Sequence, residues 1–187
     1  MRRLNRSFWL SLAVAGGLVY PFLVYFGLSR LPPGVLVLAG LALIGVRMAA
    51  MPSAANAVAL LAAGTALAGL LRLSPDRAVL AYPVVISLAT AAIFSLSLVR
   101  PPTVVERIAR LRELELPPEG ITYCRKVTVV WALFLTGNAM VSMSTALWGT
   151  IAQWTLWNGL ISYLLMGLLF TGEMVVRRTV RPQAAVS

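Results

Sequence analysis

The chain has 187 residues, of which 59% are hydrophobic and only 12% charged, against the ~25% charged residues of a soluble domain. So few charges cannot cover a water-soluble surface, and most side chains must therefore face lipid or one another. Its 16 basic and 6 acidic residues leave a net charge of +10, and one cysteine with no histidine excludes an intrachain disulfide and the commonest general base and metal ligand.

A transmembrane helix needs about 20 mostly apolar residues. Six such runs follow in chain order: Phe8–Leu28, Gly34–Ala50, Ala54–Leu71, Ala78–Val99, Val127–Gly149 and Trp154–Val176. Between the first and second stands Leu28-Ser-Arg-Leu-Pro-Pro-Gly34, where proline removes a backbone donor and disfavours helix before it. Met51-Pro-Ser53 separates the second run from the third, because reading it as a kink would give a span far too long for a bilayer. Leu73-Ser-Pro-Asp-Arg77 separates the third from the fourth. Arg2-Arg3 before an apolar run, with Ala13-Val-Ala15 as an A-x-A match, resembles a secretory signal. Cleavage there would leave too short an apolar region, so an uncleaved first span is expected.

The basic residues give the orientation. With the amino terminus inside, Arg2, Arg3, Arg6, Arg47, Arg100, Arg107, Arg110, Arg112, Arg125, Lys126, Arg177, Arg178 and Arg181 fall on the cytoplasmic side, and only Arg30, Arg72 and Arg77 outside. Cytoplasmic loops carry this excess. The sequence predicts an all-α, polytopic bundle of six transmembrane helices in one integral membrane domain (1–187), with both termini cytoplasmic. Trp148, Trp154 and Trp157 cluster at the last outer turn and are expected as headgroup-level anchors.

One loop, 100–126, is sizeable. Thr103 and Glu106 have capping-box spacing. Val104, Ile108 and Leu111 share a stripe flanked by Val105, with Glu106, Arg107, Arg110 and Glu113 away from it, and Glu106 and Arg110 are spaced i, i+4. The pattern predicts a short amphipathic cytoplasmic helix between spans four and five, over about Thr103–Glu113. Three readings of it stand side by side: a solvated connector, a helix lying on the lipid bilayer, and a docking face for a membrane or cytoplasmic protein. The docking residues would be Val104, Val105, Ile108, Leu111, Arg107 and Arg110. No nucleic-acid module accompanies the charge, which orientation already explains, so no nucleic-acid partner is expected.

Polar groups at membrane depth are costly and mark sites or helix contacts. Asn138, Ser142 and Thr145 recur on one face of span five, and Asn158, Ser162 and Glu173 on one face of span six. They are read as a polar seam between the two spans, either as interhelical glue or as a path or groove for a headgroup. Glu173, one turn before Arg177, is expected in an interfacial ion pair, and Arg47 is expected to snorkel to the headgroups. Cys124 has no base partner and is read as a bystander. With no histidine, Asp76 and five glutamates as the only acids, no Walker loop and no dinucleotide fingerprint, no enzymatic activity, metal or cofactor is expected.

Arg100-Pro-Pro, Glu106-Arg107, Leu116-Pro117, Trp131-x-x-Phe134, Asn138 and Trp154 resemble the intracellular septation protein A family of bacterial inner-membrane proteins. The chain more closely resembles small membrane proteins encoded beside aryl-polyene (xanthomonadin-type) pigment genes, through Glu106-Arg-Ile-Ala-Arg-Leu111, Trp154-Thr-Leu-Trp-Asn-Gly-Leu160 and Met166-Gly-Leu-Leu-Phe-Thr-Gly-Glu173. The likeness covers about residues 100–180, and Trp157-Asn-Gly159 departs from the septation pattern. The resemblance implies a multi-pass protein of the bacterial inner membrane that supports envelope biogenesis or lipid-like pigment assembly, and it supplies no catalytic residues. The expected function is thus a non-enzymatic accessory protein, with a small transporter or flippase for an amphiphile as the alternative.

Overall fold

The computed structural model describes residues 2–50, 53–111 and 116–180. Its elements are α1 (Arg2–Gly27), α2 (Pro33–Ala50), α3 (Ala54–Leu73), α4 (Pro75–Val99), α5 (Val104–Ala109), α6 (Pro118–Trp148), α7 (Ile151–Leu156), a π-helical turn (Trp157–Ile161) and α8 (Ser162–Val180), with no strand among the described residues. Among the described residues five helices are long and apolar enough to cross a membrane: Pro33–Ala50, Asn56–Leu73, Pro75–Val99, Pro118–Trp148 and Ile151–Val176. In α1 the apolar stretch is the shorter Ser11–Gly27. Large apolar side chains on these helices face outward, among them Leu38, Val58, Leu133, Met140 and Leu168, a surface that suits lipid and not water. The architecture is that of a multi-pass membrane protein.

Local chemistry sets the helix ends. Ser53 caps α3 by accepting from the Asn56 amide. Pro75 and Pro118 open α4 and α6 at the first helical position, where a missing N–H costs nothing, and Asp76 and Glu119 stand in those first turns, where the helix dipole favours an acid. At the far end of α4, the Arg125 guanidinium donates to the Leu98 carbonyl at 3.1 Å. Thr150 and Gln153 make a capping box that starts α7 after Gly149.

Two boundaries differ from the sequence expectation. Hydropathy places span five from Val127, yet α6 begins at Pro118, because the Pro117-Pro118 pair starts a helix as readily as it ends the preceding segment. The 31 residues of α6 extend ~46 Å at 1.5 Å per residue, well beyond the ~30 Å hydrocarbon core. The expected loop helix is shorter, Val104–Ala109, and residues 112–115 lie outside the described part. Its capping box forms as expected, with the Glu106 amide on Thr103 Oγ1 and the Thr103 amide on Glu106 Oε2.

Helix contacts run α1–α2, α2–α4, α4–α6, α6 to α7 and the π turn, and from these two back to α1, so that five segments close a ring. The long helix α3 packs outside it against α2 and α4, and α8 continues from the π turn. The core lies where α1, α2, α3 and α4 meet, built on Tyr20, Val24, Leu36, Val37, Leu67, Val79 and Tyr82, and Trp154 closes it from α7. Gly40 lets α4 approach α2: a methyl group there would lie 3.0 Å from the Tyr82 ring.

Candidate functional site

Two prolines inside helices prepare the centre of the ring. Pro83 has no amide hydrogen, so it leaves the Val79 carbonyl without its i+4 donor and distorts the preceding turn. The Tyr20 hydroxyl donates to that carbonyl at 2.9 Å, and the Trp154 indole N–H donates to the neighbouring Leu80 carbonyl at 3.2 Å. One proline kink thereby fixes α1, α4 and α7 together, with the Tyr20 and Tyr82 rings 4.4 Å apart. Pro21 likewise withdraws a donor from the Gly17 carbonyl in α1.

Gly17 lines a partly open cavity of about 270 Å³ walled by α1, α2, α4, α6, the π turn and α8. From α1 come Gly17, Tyr20 and Pro21; from α2 only Arg47; from α4 Tyr82, Ser87, Thr90 and Phe94. Helix α6 adds Trp131, Leu135 and Asn138, and the last segment adds Asn158, Ser162 and Tyr163. The wall is mixed in character, with a guanidinium, hydroxyls and amides beside aromatic and aliphatic surface.

Four residues of the expected polar seam do come together here. Ser142 donates to Asn158 Oδ1 at 2.7 Å, and the Asn158 amide nitrogen donates to the Trp154 carbonyl at 2.9 Å. The Ser162 hydroxyl contacts the Asn158 carbonyl at 3.4 Å. Asn138 donates to Ser87 Oγ at 3.1 Å and accepts from the Trp157 indole N–H at 3.2 Å. The network thus joins α4, α6 and the π turn, and two of its members, Ser87 and Trp157, lie outside the seam drawn from sequence. Thr145 is turned aside and donates to the Ser142 carbonyl of its own helix. Glu173 shares a face with Ser162 but stands eleven residues on, ~16 Å at 1.5 Å per residue. Its carbonyl accepts from the Tyr123 hydroxyl, and the side chain of its expected partner Arg177 lies outside the described part.

Other expectations are revised by burial. Trp154 is fully buried and Trp157 half-buried, so of the outer tryptophan cluster Trp148, 81% exposed, has the free ring that an anchor requires. The buried Trp154 has its indole N–H on the Leu80 carbonyl, next to the one that Pro83 leaves without a helical donor. Arg47 does not extend away from the bundle. Its Nε is buried without a hydrogen-bond partner, and a methyl group on Gly17 would lie 3.2 Å from its Nη2. The side chain turns inward because Gly17 leaves room on α1 and the tyrosines of α4 and α8 offer polar company.

In the loop, Glu106 and Ala109 are buried and α5 packs on α6. Glu106 therefore faces the bundle, where its carboxylate accepts two bonds from Arg110 at 2.8 and 3.0 Å. Arg107 Nε donates to the Pro102 carbonyl at 2.9 Å. Val104 and Val105 are half-buried, whereas Ile108 and Leu111 are 57% and 75% exposed. Of the six docking candidates, two thus present free apolar surface, and both arginines are engaged within the loop. Cys124 is buried.

Among the described residues no cluster of potential metal ligands occurs. Comparison with protein-family models, with curated protein sequences and with solved structures finds no match to this chain.

Proposed function

We propose that this chain is a six-span protein of the bacterial inner membrane, with both termini cytoplasmic, which holds a lipid-like amphiphile inside its helical ring. On this reading its role is that of a non-enzymatic accessory protein in envelope biogenesis or lipid-like pigment assembly, as the likeness to the pigment-linked proteins implies. Ser11–Gly27 serves as the first span, and the distribution of basic residues supports the orientation. The observation that carries the reading is the cavity, which places polar groups and aromatic surface together at the junction of five segments. Its ~270 Å³ falls just below the ~300–1,000 Å³ of pockets for drug-sized ligands, which suits a head group with the first part of its chain.

Holding is favoured over translocation because the seam that a path would follow is occupied by its own bonds. Asn138 and Asn158 both donate and accept through their side chains. Opening that seam would unmake several buried hydrogen bonds at once.

The test is binding of a neutral fluorescent polyene ester, methyl cis-parinarate, to the purified full chain in nonionic detergent, read by energy transfer from tryptophan. Thr90→Phe fills the cavity without removing an interhelical bond, since Thr90 bonds only to Ile86 of its own helix. It should weaken binding about tenfold, equivalent to ~1.4 kcal/mol; equal binding by the variant would end the reading.

A second reading attaches to α5, whose exposed Ile108 and Leu111 suit the membrane surface or a cytoplasmic partner.

A further inference from the structure

Among the described residues Arg47 is the one charged side chain on the cavity wall, and its position is costly unless something answers its charge. Among the described residues the ion pair formed is Arg110–Glu106, in the loop, so no described carboxylate neutralises Arg47. Its Nε is buried and unpartnered, and so is the hydroxyl of Tyr82, a residue only 3% exposed. Tyr163 brings a second hydroxyl to the same place: a methyl group on Gly17 would lie 2.8 Å from its oxygen and 3.2 Å from Arg47 Nη2. A guanidinium and two phenolic hydroxyls can all donate, and a guanidinium presents a planar fork that matches carboxylate and phosphate oxygens. On α4 the cavity wall continues from Tyr82 to Phe94, twelve residues or ~18 Å along the helix. There Phe94 and Trp131 form an aromatic pair with centroids 6.4 Å apart.

From this arrangement we infer that Arg47, Tyr82 and Tyr163 form a binding site for an oxyanion, and that the ligand is an amphiphile with an anionic head and an apolar chain. The inference rests on the amphiphile-holding reading above and adds the charge of the head group to it. Gly17 is the residue that keeps the site open, since any side chain there would enter the space shared by Arg47 and Tyr163.

The experiment compares cis-parinaric acid with its methyl ester on the full chain in nonionic detergent, at about pH 9, well above the carboxylate range. The wild type should bind the ionised acid about tenfold or more tighter than the ester, the size expected for hydrogen bonds to a charged group. Arg47→Gln should abolish that preference, and Tyr82→Phe with Tyr163→Phe should reduce it severalfold. Equal affinities for acid and ester in the wild type would overturn the oxyanion site while leaving the amphiphile reading standing. Retention of the preference by Arg47→Gln would overturn the site as well. Binding of neither probe would remove both readings together. Displacement of the acid by inorganic phosphate alone would assign the site to a free anion and overturn the lipid-head assignment.

Discussion

The Val79 carbonyl shows how one residue type propagates through the molecule. Pro83 takes away its helical donor, and Tyr20 on another helix replaces it. Tyr20→Phe should therefore cost roughly 1–2 kcal/mol, more than the ~0.6 kcal/mol mean for interhelical side-chain bonds in membranes, because the carbonyl has no helical donor to return to. Pro83→Ala restores a donor, so the same Tyr20→Phe change should cost measurably less in that background. A double-mutant cycle on thermal unfolding in detergent reads the difference; equal costs in both backgrounds would show that the tyrosine does not answer the kink. Asn138→Leu removes the partners of both Ser87 and Trp157. It should lower stability by about 1–3 kcal/mol through the unsatisfied groups it leaves, and an unchanged midpoint would show that the network contributes little. Asn138, Ser142, Asn158 and Ser162 were legible from helical spacing alone, since polar side chains at membrane depth stand out. Ser87 and Trp157 were not, because pairing across helices depends on how α4 crosses α6 and on a π turn that no local motif announces. Arg47 was visible as a charge, but whether it turned outward or inward depended on a glycine thirty residues earlier on another helix.

At the scale of elements, the loop helix α5 owes its existence to its capping box. Six residues make only a turn and a half, too few for an isolated helix in water. Thr103→Ala should cost about 0.5–2 kcal/mol locally, seen as faster amide exchange over 104–109 with the long helices unaffected; unchanged exchange would show that packing on α6 alone holds it. The spacing sets Val104, Ile108 and Leu111 on one stripe. The face buried against α6 is instead that of Glu106 and Ala109, an outcome the carboxylate tolerates because Arg110 and the Thr103 amide both bond it. Ile108 and Leu111 are consequently the residues left for a partner or the bilayer surface. Replacing Val104, Ile108 and Leu111 together by serine should release partners that co-purify in mild detergent, and retention of every one would sink the docking role. The start of α6 at Pro118 escaped the hydropathy reading because its first turns carry Glu119, Arg125 and Lys126, which interrupt an apolar run without interrupting a helix.

For the whole molecule, composition and charge asymmetry announced a membrane bundle, and the helices, their order and their outward apolar faces agree with it. The cavity was not legible. It arises where five segments meet, and its wall takes Arg47 from α2, tyrosines from α1, α4 and α8, and amides from α6 and the π turn. No window of sequence holds more than a few of them. The six-span reading predicts that Ser7→Cys and Ser29→Cys react with a membrane-impermeant maleimide from opposite faces, while reaction from the same face would remove α1 as a span. The most direct measurement of the central claim is photocrosslinking of a photoactivatable long-chain fatty acid to the full chain in native membranes, followed by peptide mapping. Crosslinks are predicted on the cavity-facing sides of α1, α4 and α8, near Gly17, Thr90 and Met166, and they should fall away in Thr90→Phe. Crosslinks confined to outward residues such as Leu38, Leu133 and Leu168, and unchanged by Thr90→Phe, would contradict the account.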